Sequence, residues 1–394
     1  MKPSTPVQQP HRAPAPASSF ALWEMGFRPF YLLASVFAAA SIALWALQFA
    51  GWLGQPYLQG PMRHAHEMLF GFALAVVVGF LLTAGANWSG RTVLKGWPLA
   101  ALALLWVAGR ILVLTPFGWT AAIVNAAFPA LAAVPLAMAF AASRNRRNYF
   151  FPGLLLLMAL AQLLIHLDHL GAIRFPGWLG IQLALDMLLF IMAVMAGRVL
   201  PMFTNNGVPG ANATRHPLVE KAALGLVLVL VAADAAGLQG AGLAGLAAAC
   251  AAAHAVRWWL WQPWKTTGTP LVWVLHAAYL WIPLHLLLRA LAPLDWVVPS
   301  IATHALTVGA AGGLIIGMMT RTAKGHTGRM LKADRWDVAC YLLVLLAAVV
   351  RVGVPMAVPG WTVQSVVVSA ALWSAGFALY AWSYWPVLMR SRAS

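Results

Sequence analysis

The chain has 394 residues, of which 62% are hydrophobic and only 9% are charged. Soluble domains carry about a quarter charged residues, so the composition excludes a soluble globular protein and predicts an integral membrane protein. The net charge of +16 is explained by membrane topology and contact with anionic lipid. We therefore expect the lipid bilayer as a partner and no nucleic acid.

The predicted elements begin with a tail. Residues 1–20 contain repeated proline, which predicts a disordered cytoplasmic segment. Residues 21–394 are predicted to form a single membrane domain. Only helices satisfy their own backbone groups in lipid without closing a barrel, and about 20 apolar residues are needed for each crossing. The fold class is therefore an all-α polytopic transmembrane bundle of about twelve spans, predicted at 29–50, 67–86, 97–115, 119–142, 151–171, 177–200, 218–236, 239–261, 270–291, 298–319, 336–354 and 361–386.

The positive charges predict the orientation. Of the 25 Lys and Arg residues, 19 lie in the tails or in the even-numbered loops, counted from the N-terminus, and four lie within spans. Only Arg63 and Arg174 lie in odd-numbered loops. Positively charged loops remain on the cytoplasmic side, so both termini are predicted to be cytoplasmic.

The start of the second span carries a polar cluster of His64, His66 and Glu67. Ionisable groups are costly inside a membrane and mark functional sites, and histidine and carboxylate side chains bind transition metals and relay protons. On a regular helix, His64 and His66 point about 200° apart. Either the segment is extended there or the two histidines serve different centres.

Other histidines lie at defined depths of the predicted bundle. His166, in the fifth span, and His304, in the tenth, share the outer half with the polar cluster, whereas His276 and His326 lie nearer the inner side. A pair of imidazoles suits haem iron, and three imidazoles suit copper. For any one of these side chains, the competing interpretation is a packed, hydrogen-bonded histidine.

Arginine residues exceed the acidic residues available to pair with them inside the spans. Arg110, Arg198 and Arg351 are predicted to be partly buried, and the chain has only nine Asp and Glu residues. This excess leaves room for an anionic cofactor, such as one that carries haem propionates.

Seven short motifs, in order along the chain, resemble the NnrS family from about residue 20 to the C-terminus. They are Gly26-Phe-Arg-Pro-Phe30, His64-Ala-His-Glu-Met-Leu-Phe-Gly-Phe72, Asn87-Trp-Ser-Gly-Arg91, Gly197-Arg-Val-Leu-Pro-Met-Phe-Thr204, Trp273-Val-Leu-His276, His304-Ala-Leu-Thr-Val-Gly309 and Met319-Thr-Arg-Thr-Ala-Lys-Gly-His-Thr-Gly-Arg329. Small departures are Ser89 in the third motif, Lys324 before Gly325, and a second alanine after Gly309.

The resemblance implies a multi-pass protein of the bacterial inner membrane that contains haem b and copper and acts in nitric oxide metabolism and nitrosative-stress resistance. Its motifs imply cofactor-binding roles for seven residues, and metal-binding roles for four of these histidines together with His166. The seven are His64, His66, His276, His304, His326, Arg91 and Arg198; the metal ligands implied are His64, His66, His166, His276 and His304.

These inferences combine in one functional hypothesis. A haem and copper site in the outer half, bounded by spans two, five and ten, would convert two nitric oxide molecules, with electrons and protons, to nitrous oxide and water. Glu67 is expected to donate protons or to orient a ligand imidazole. Electrons would come from a quinol or a small electron-donor protein. Two alternatives remain: a transporter of a metal, haem or an anion, and a sensor or scavenger that binds nitric oxide without turnover.

Overall fold

The computed structural model describes residues 20–49, 51, 58 and 60–391, and within these ranges the chain forms helices and no β-strand. The predicted tail, apart from Phe20, lies outside the described residues. Among the described residues, twelve main helices follow one another at the twelve positions predicted as spans. We number them α1 (Phe27–Phe49), α2 (Gly60–Ser89), α3 (Trp97–Leu112), α4 (Gly118–Ala142), α5 (Phe150–His169), α6 (Gly177–Gly207), α7 (Pro217–Ala235), α8 (Gly240–Leu260), α9 (Pro270–Leu294), α10 (Pro299–His326), α11 (Arg335–Ala357) and α12 (Thr362–Met389).

In the described part of the chain, ten helices are long and apolar enough to cross a membrane, which confirms an all-helical, multi-pass architecture. The other two differ in length or charge. Helix α3 has only 16 residues, and α7 carries Glu220, Lys221 and Asp234 within its 19 residues. The count of twelve spans and the cytoplasmic placement of the termini stay predictions.

Local sequence signals account for several helix ends. Proline lies in the first turn of α3, α7, α9 and α10, where its missing N–H costs nothing and its fixed φ suits a helix. Helix α11 begins with a capping box, in which Asp334 accepts from the backbone N–H of Asp337 and the side chain of Asp337 accepts from the backbone N–H of Asp334.

The first and last described helices pack against each other, and α1 also packs against α2. The buried guanidinium of Arg28 donates to the carbonyl oxygens of Leu388 at 2.9 Å and Arg390 at 2.6 Å. The backbone N–H of Ala21 donates to the carbonyl of Met389 at 2.8 Å. The arginine of the first motif therefore joins the two ends of the described chain.

Candidate cofactor site

A cavity of about 590 Å³ lies inside the bundle, walled by α1, α2, α6, α10, α11 and α12. This volume is within the range of cofactor sites, which are mostly apolar with a few polar groups. Apolar and aromatic side chains form most of the wall, among them Trp45, Phe72, Trp178 and Trp373. The polar members of the wall include His64, Gln182, Ser300, Thr303, His304, Thr307, Arg351, Thr362 and Ser369.

His64 and His304 face each other across part of this cavity. Their ring centroids are 6.1 Å apart and their planes differ by 11°. His64 also stacks on Trp45, with a centroid distance of 4.9 Å. His304 is oriented by its own helix, because Nδ1–H donates to the carbonyl oxygen of Ser300 at 2.6 Å. That bond places the proton on Nδ1 and leaves Nε2 as the unprotonated nitrogen, the form in which imidazole binds a metal.

Both histidines belong to helices with a π-helical segment just beyond them. In α2 the segment is Glu67–Ala73, and in α10 it is Ala305–Gly312. Short π-helical insertions are frequent at functional sites, because the extra residue in a turn shifts which side chains share a face. The π-helical segment is shared by α2 and α10, and it distinguishes these two helices from the others that line the cavity.

His66 points to the opposite side of α2. Its Nδ1–H donates to Glu67 Oε1 at 2.8 Å, and its Nε2 accepts from the Gln162 amide at 3.1 Å. His66 is fully buried, and the ring of His166, also fully buried, lies edge-on to it with a centroid distance of 4.9 Å. Both ring nitrogens of His66 are therefore occupied by protein groups, and His66 and His166 do not line the cavity.

Glu67 is held in an ion pair rather than exposed to the cavity. Its Oε1 accepts from Arg110 Nη1 at 2.5 Å, and Arg110 also donates to Asn125 Oδ1. Gln162 donates to the same Asn125 oxygen at 3.3 Å. A carboxylate compensated by a buried guanidinium is suited to orienting His66, which is the second of the two roles expected of Glu67.

The three arginines of interest occupy different environments. Arg351 lines the cavity, as an excess cation near a cofactor site is expected to do. Arg198 donates to Asn148 at 2.7 Å and lies over the rings of Phe151 and two neighbouring aromatic residues. Arg91 is exposed. The structure thus brings Arg351, but neither Arg91 nor Arg198, to the cavity wall.

His276 and His326 lie apart from the cavity lining. His276 is buried, and its Nε2–H donates to Thr204 Oγ1 at 2.7 Å. His326, at the end of α10, lies against Phe27 with a ring centroid distance of 5.6 Å. Within the described ranges, no three His, Cys, Asp or Glu side chains lie together in a way that could hold a metal ion.

The sequence interpretation missed several polar residues of this region. Asn125 and Gln162 connect Arg110 to His66, and Gln182 lines the cavity. Each is an amide inside an otherwise apolar span, a pattern that by itself indicates a buried contact between helices. That signal was available from the sequence.

The comparison with protein families gives one match. The family model described as "NnrS protein" matches residues 21–392, nearly the whole chain. A search of curated proteins gives no match.

Proposed function

Because the chain belongs to the NnrS family and is a nitric oxide-related, multi-pass membrane protein, we propose that its cavity holds haem b next to His64 and His304. We further propose that nitric oxide binds in this cavity and that the protein resides in a bacterial inner membrane. The observation that carries the proposal is the pair of nearly parallel imidazoles on the wall of one large apolar cavity.

The residues present fit a haem group. His304 keeps an unprotonated Nε2, and His64 is held by stacking on Trp45. Arg351 offers a cation to an anionic propionate, and no carboxylate in the described ranges pairs with it. Aromatic side chains on the wall suit a flat macrocycle. Haem, when bound, supplies an iron that binds diatomic gases and exchanges one electron.

Copper does not fit the described residues as readily. A copper site of three imidazoles needs three side chains in one place, and no such group is present in the described ranges. Both ring nitrogens of His66 already make hydrogen bonds to protein groups. Copper therefore stays an implication of the family, and we assign no step to it.

In the proposed reaction, side chains of the protein bind the cofactor, balance its charge and exclude water. His64 and His304 hold the cofactor, Arg351 balances its charge, and the apolar wall excludes water. In the proposed reaction, two nitric oxide molecules, two electrons and two protons give nitrous oxide and water. The electrons come from a quinol or a small electron-donor protein.

A second candidate, nitric oxide binding without turnover, is favoured by the same pair of imidazoles. If His64 and His304 both held the haem, nitric oxide would have to compete with one of them for the iron. Such competition would suit a sensor or a scavenger better than an enzyme.

Assays on one preparation of the purified protein test these proposals. The purified protein is assayed for haem and copper per chain, then mixed with nitric oxide and a reductant. We expect one haem per chain, loss of haem in His64→Ala and His304→Ala, and full haem in the exposed-histidine control His216→Ala. Turnover supports the reductase, whereas uptake of one equivalent supports the sensor. A protein that contains no haem, or that only binds a metal weakly and exchangeably, overturns the haem proposal and favours a transporter.

A further inference from the structure

A second buried polar cluster lies beside the cavity, between α6, α7 and α9. Arg289 Nη1 donates to Asp186 Oδ1 at 2.7 Å, and Arg289 Nη2 donates to Asp234 Oδ2. Asp186 is fully buried and Asp234 nearly so. One guanidinium therefore faces two carboxyl groups.

This arrangement leaves one negative charge without compensation. The neighbouring titratable groups do not supply a cation, because Cys250 is a buried free thiol and a second N–H on the buried ring of His285 would have no acceptor. His285 donates Nδ1–H to the carbonyl oxygen of Ala302 at 2.7 Å, and its buried Nε2 has no hydrogen-bond partner. An uncompensated charge buried inside a helical bundle is costly.

A proton resolves the imbalance. Asp186 Oδ1 accepts from Arg289 and Gln182, whereas the buried Asp186 Oδ2 has no hydrogen-bond partner and is the oxygen available to carry a proton. Two carboxyl groups in one buried site do not both ionise readily, and such pairs commonly hold a single proton. With that proton, the cluster of two carboxyl groups and one guanidinium is neutral.

The cluster connects to the cavity through one side chain. Gln182 lines the cavity, and its amide donates to Asp186 Oδ1 at 3.0 Å. The two residues are four apart on α6 and share a face. On the far side, Asp234 lies in the last turn of α7, near an end of that helix.

We propose that Asp186 and Asp234 form a shared proton site that responds to the charge of whatever occupies the cavity. The oxidised cofactor has one more positive charge at its iron than the reduced cofactor, which favours the ionised carboxylate, so the proton leaves. When the cofactor takes one electron from a reductant, one proton from solvent returns to the carboxyl pair. This coupling rests on the proposed function, whereas the shared proton in the cofactor-free protein does not.

Infrared spectroscopy of the cofactor-free protein tests the shared proton by itself. We expect a protonated-carboxyl band at neutral pH that disappears in Asp186→Asn and in Asp234→Asn. Each variant leaves one carboxylate to pair with Arg289, so both are expected to fold. The control Asp295→Asn changes an exposed carboxylate and should retain the band. A band that persists in both cluster variants overturns the proposal.

The haem-loaded protein tests the coupling. We expect its reduction potential to fall with rising pH by up to about 59 mV per pH unit, the value for one proton per electron. The slope should flatten in Asp186→Asn and persist in Asp295→Asn. Equal slopes in wild type and Asp186→Asn overturn the coupling while the proposed function stands. A protein that binds no haem overturns the proposed function instead, and the infrared result then decides on the shared proton.

Discussion

The rings of His64 and His66 lie on opposite sides of helix α2, although only one residue separates them. His64 stacks on Trp45 and lines the cavity with His304. His66 faces Glu67 and the buried polar residues of α3, α4 and α5. One short motif therefore contributes to two different environments.

Alanine at these two positions should have different consequences. His64→Ala removes a cavity imidazole, so we expect loss of bound haem with little change in thermal unfolding. His66→Ala removes two buried hydrogen bonds and should lower the free energy of unfolding by about 1–3 kcal/mol while haem is retained. Haem content and thermal unfolding in detergent measure the two effects. Equal haem loss in both variants would contradict the separation of the two sites.

Glu67→Gln should destabilise the protein strongly. The substitution leaves Arg110 as a buried guanidinium without its carboxylate, and removal of one partner of a buried ion pair costs about 3–5 kcal/mol. Thermal unfolding is the measurement. Glu24→Gln, at an exposed carboxylate, is the control and should unfold like wild type. A stable Glu67→Gln protein that is inactive would instead favour proton donation by Glu67.

Gly197→Ala tests why glycine precedes Arg198 in the fourth motif. A Cβ at Gly197 would overlap Arg257 Nη2, and Arg257 is paired through two nitrogens with Glu220, one contact being 2.9 Å long. Displacing this pair should cost about 3 kcal/mol or more. The control is Gly225→Ala within α7, where a Cβ meets nothing within 4 Å. It should be neutral or stabilising by up to about 1 kcal/mol, and similar Tm values for the two variants would rule out the steric explanation.

Arg351→Gln and Arg91→Gln test two ways of assigning a haem-binding arginine. Arg351 is assigned from its place on the cavity wall, and Arg91 from its sequence motif. Arg351 lines the cavity and Arg91 is exposed. A lost charge-assisted contact of about 1.5–3 kcal/mol corresponds to haem binding weakened by roughly tenfold or more. We expect that loss in Arg351→Gln and unchanged affinity in Arg91→Gln, measured by haem titration. Weaker haem binding in Arg91→Gln and unchanged binding in Arg351→Gln would instead support the assignment of Arg91 from its motif.

The sequence by itself predicted the class of protein and the position of each helix, and it left open whether His64 and His66 serve one centre or two. These features depend on local properties: the length of apolar runs, the residues at helix ends and the 3.6-residue period of the helix. The same period explains why His66 cannot share the cavity with His64 while both remain helical.

Only the tertiary structure decided which distant residues meet. The predicted site joined spans two, five and ten. In the structure, His166 of α5 lies instead against His66, on the side of α2 that faces away from the cavity. Helix α6, with Gln182, lines the cavity where α5 was expected. Glu67 pairs with Arg110, a contact between residues far apart in the chain. Such partners depend on how whole helix faces pack, and no local pattern in the sequence specifies that packing.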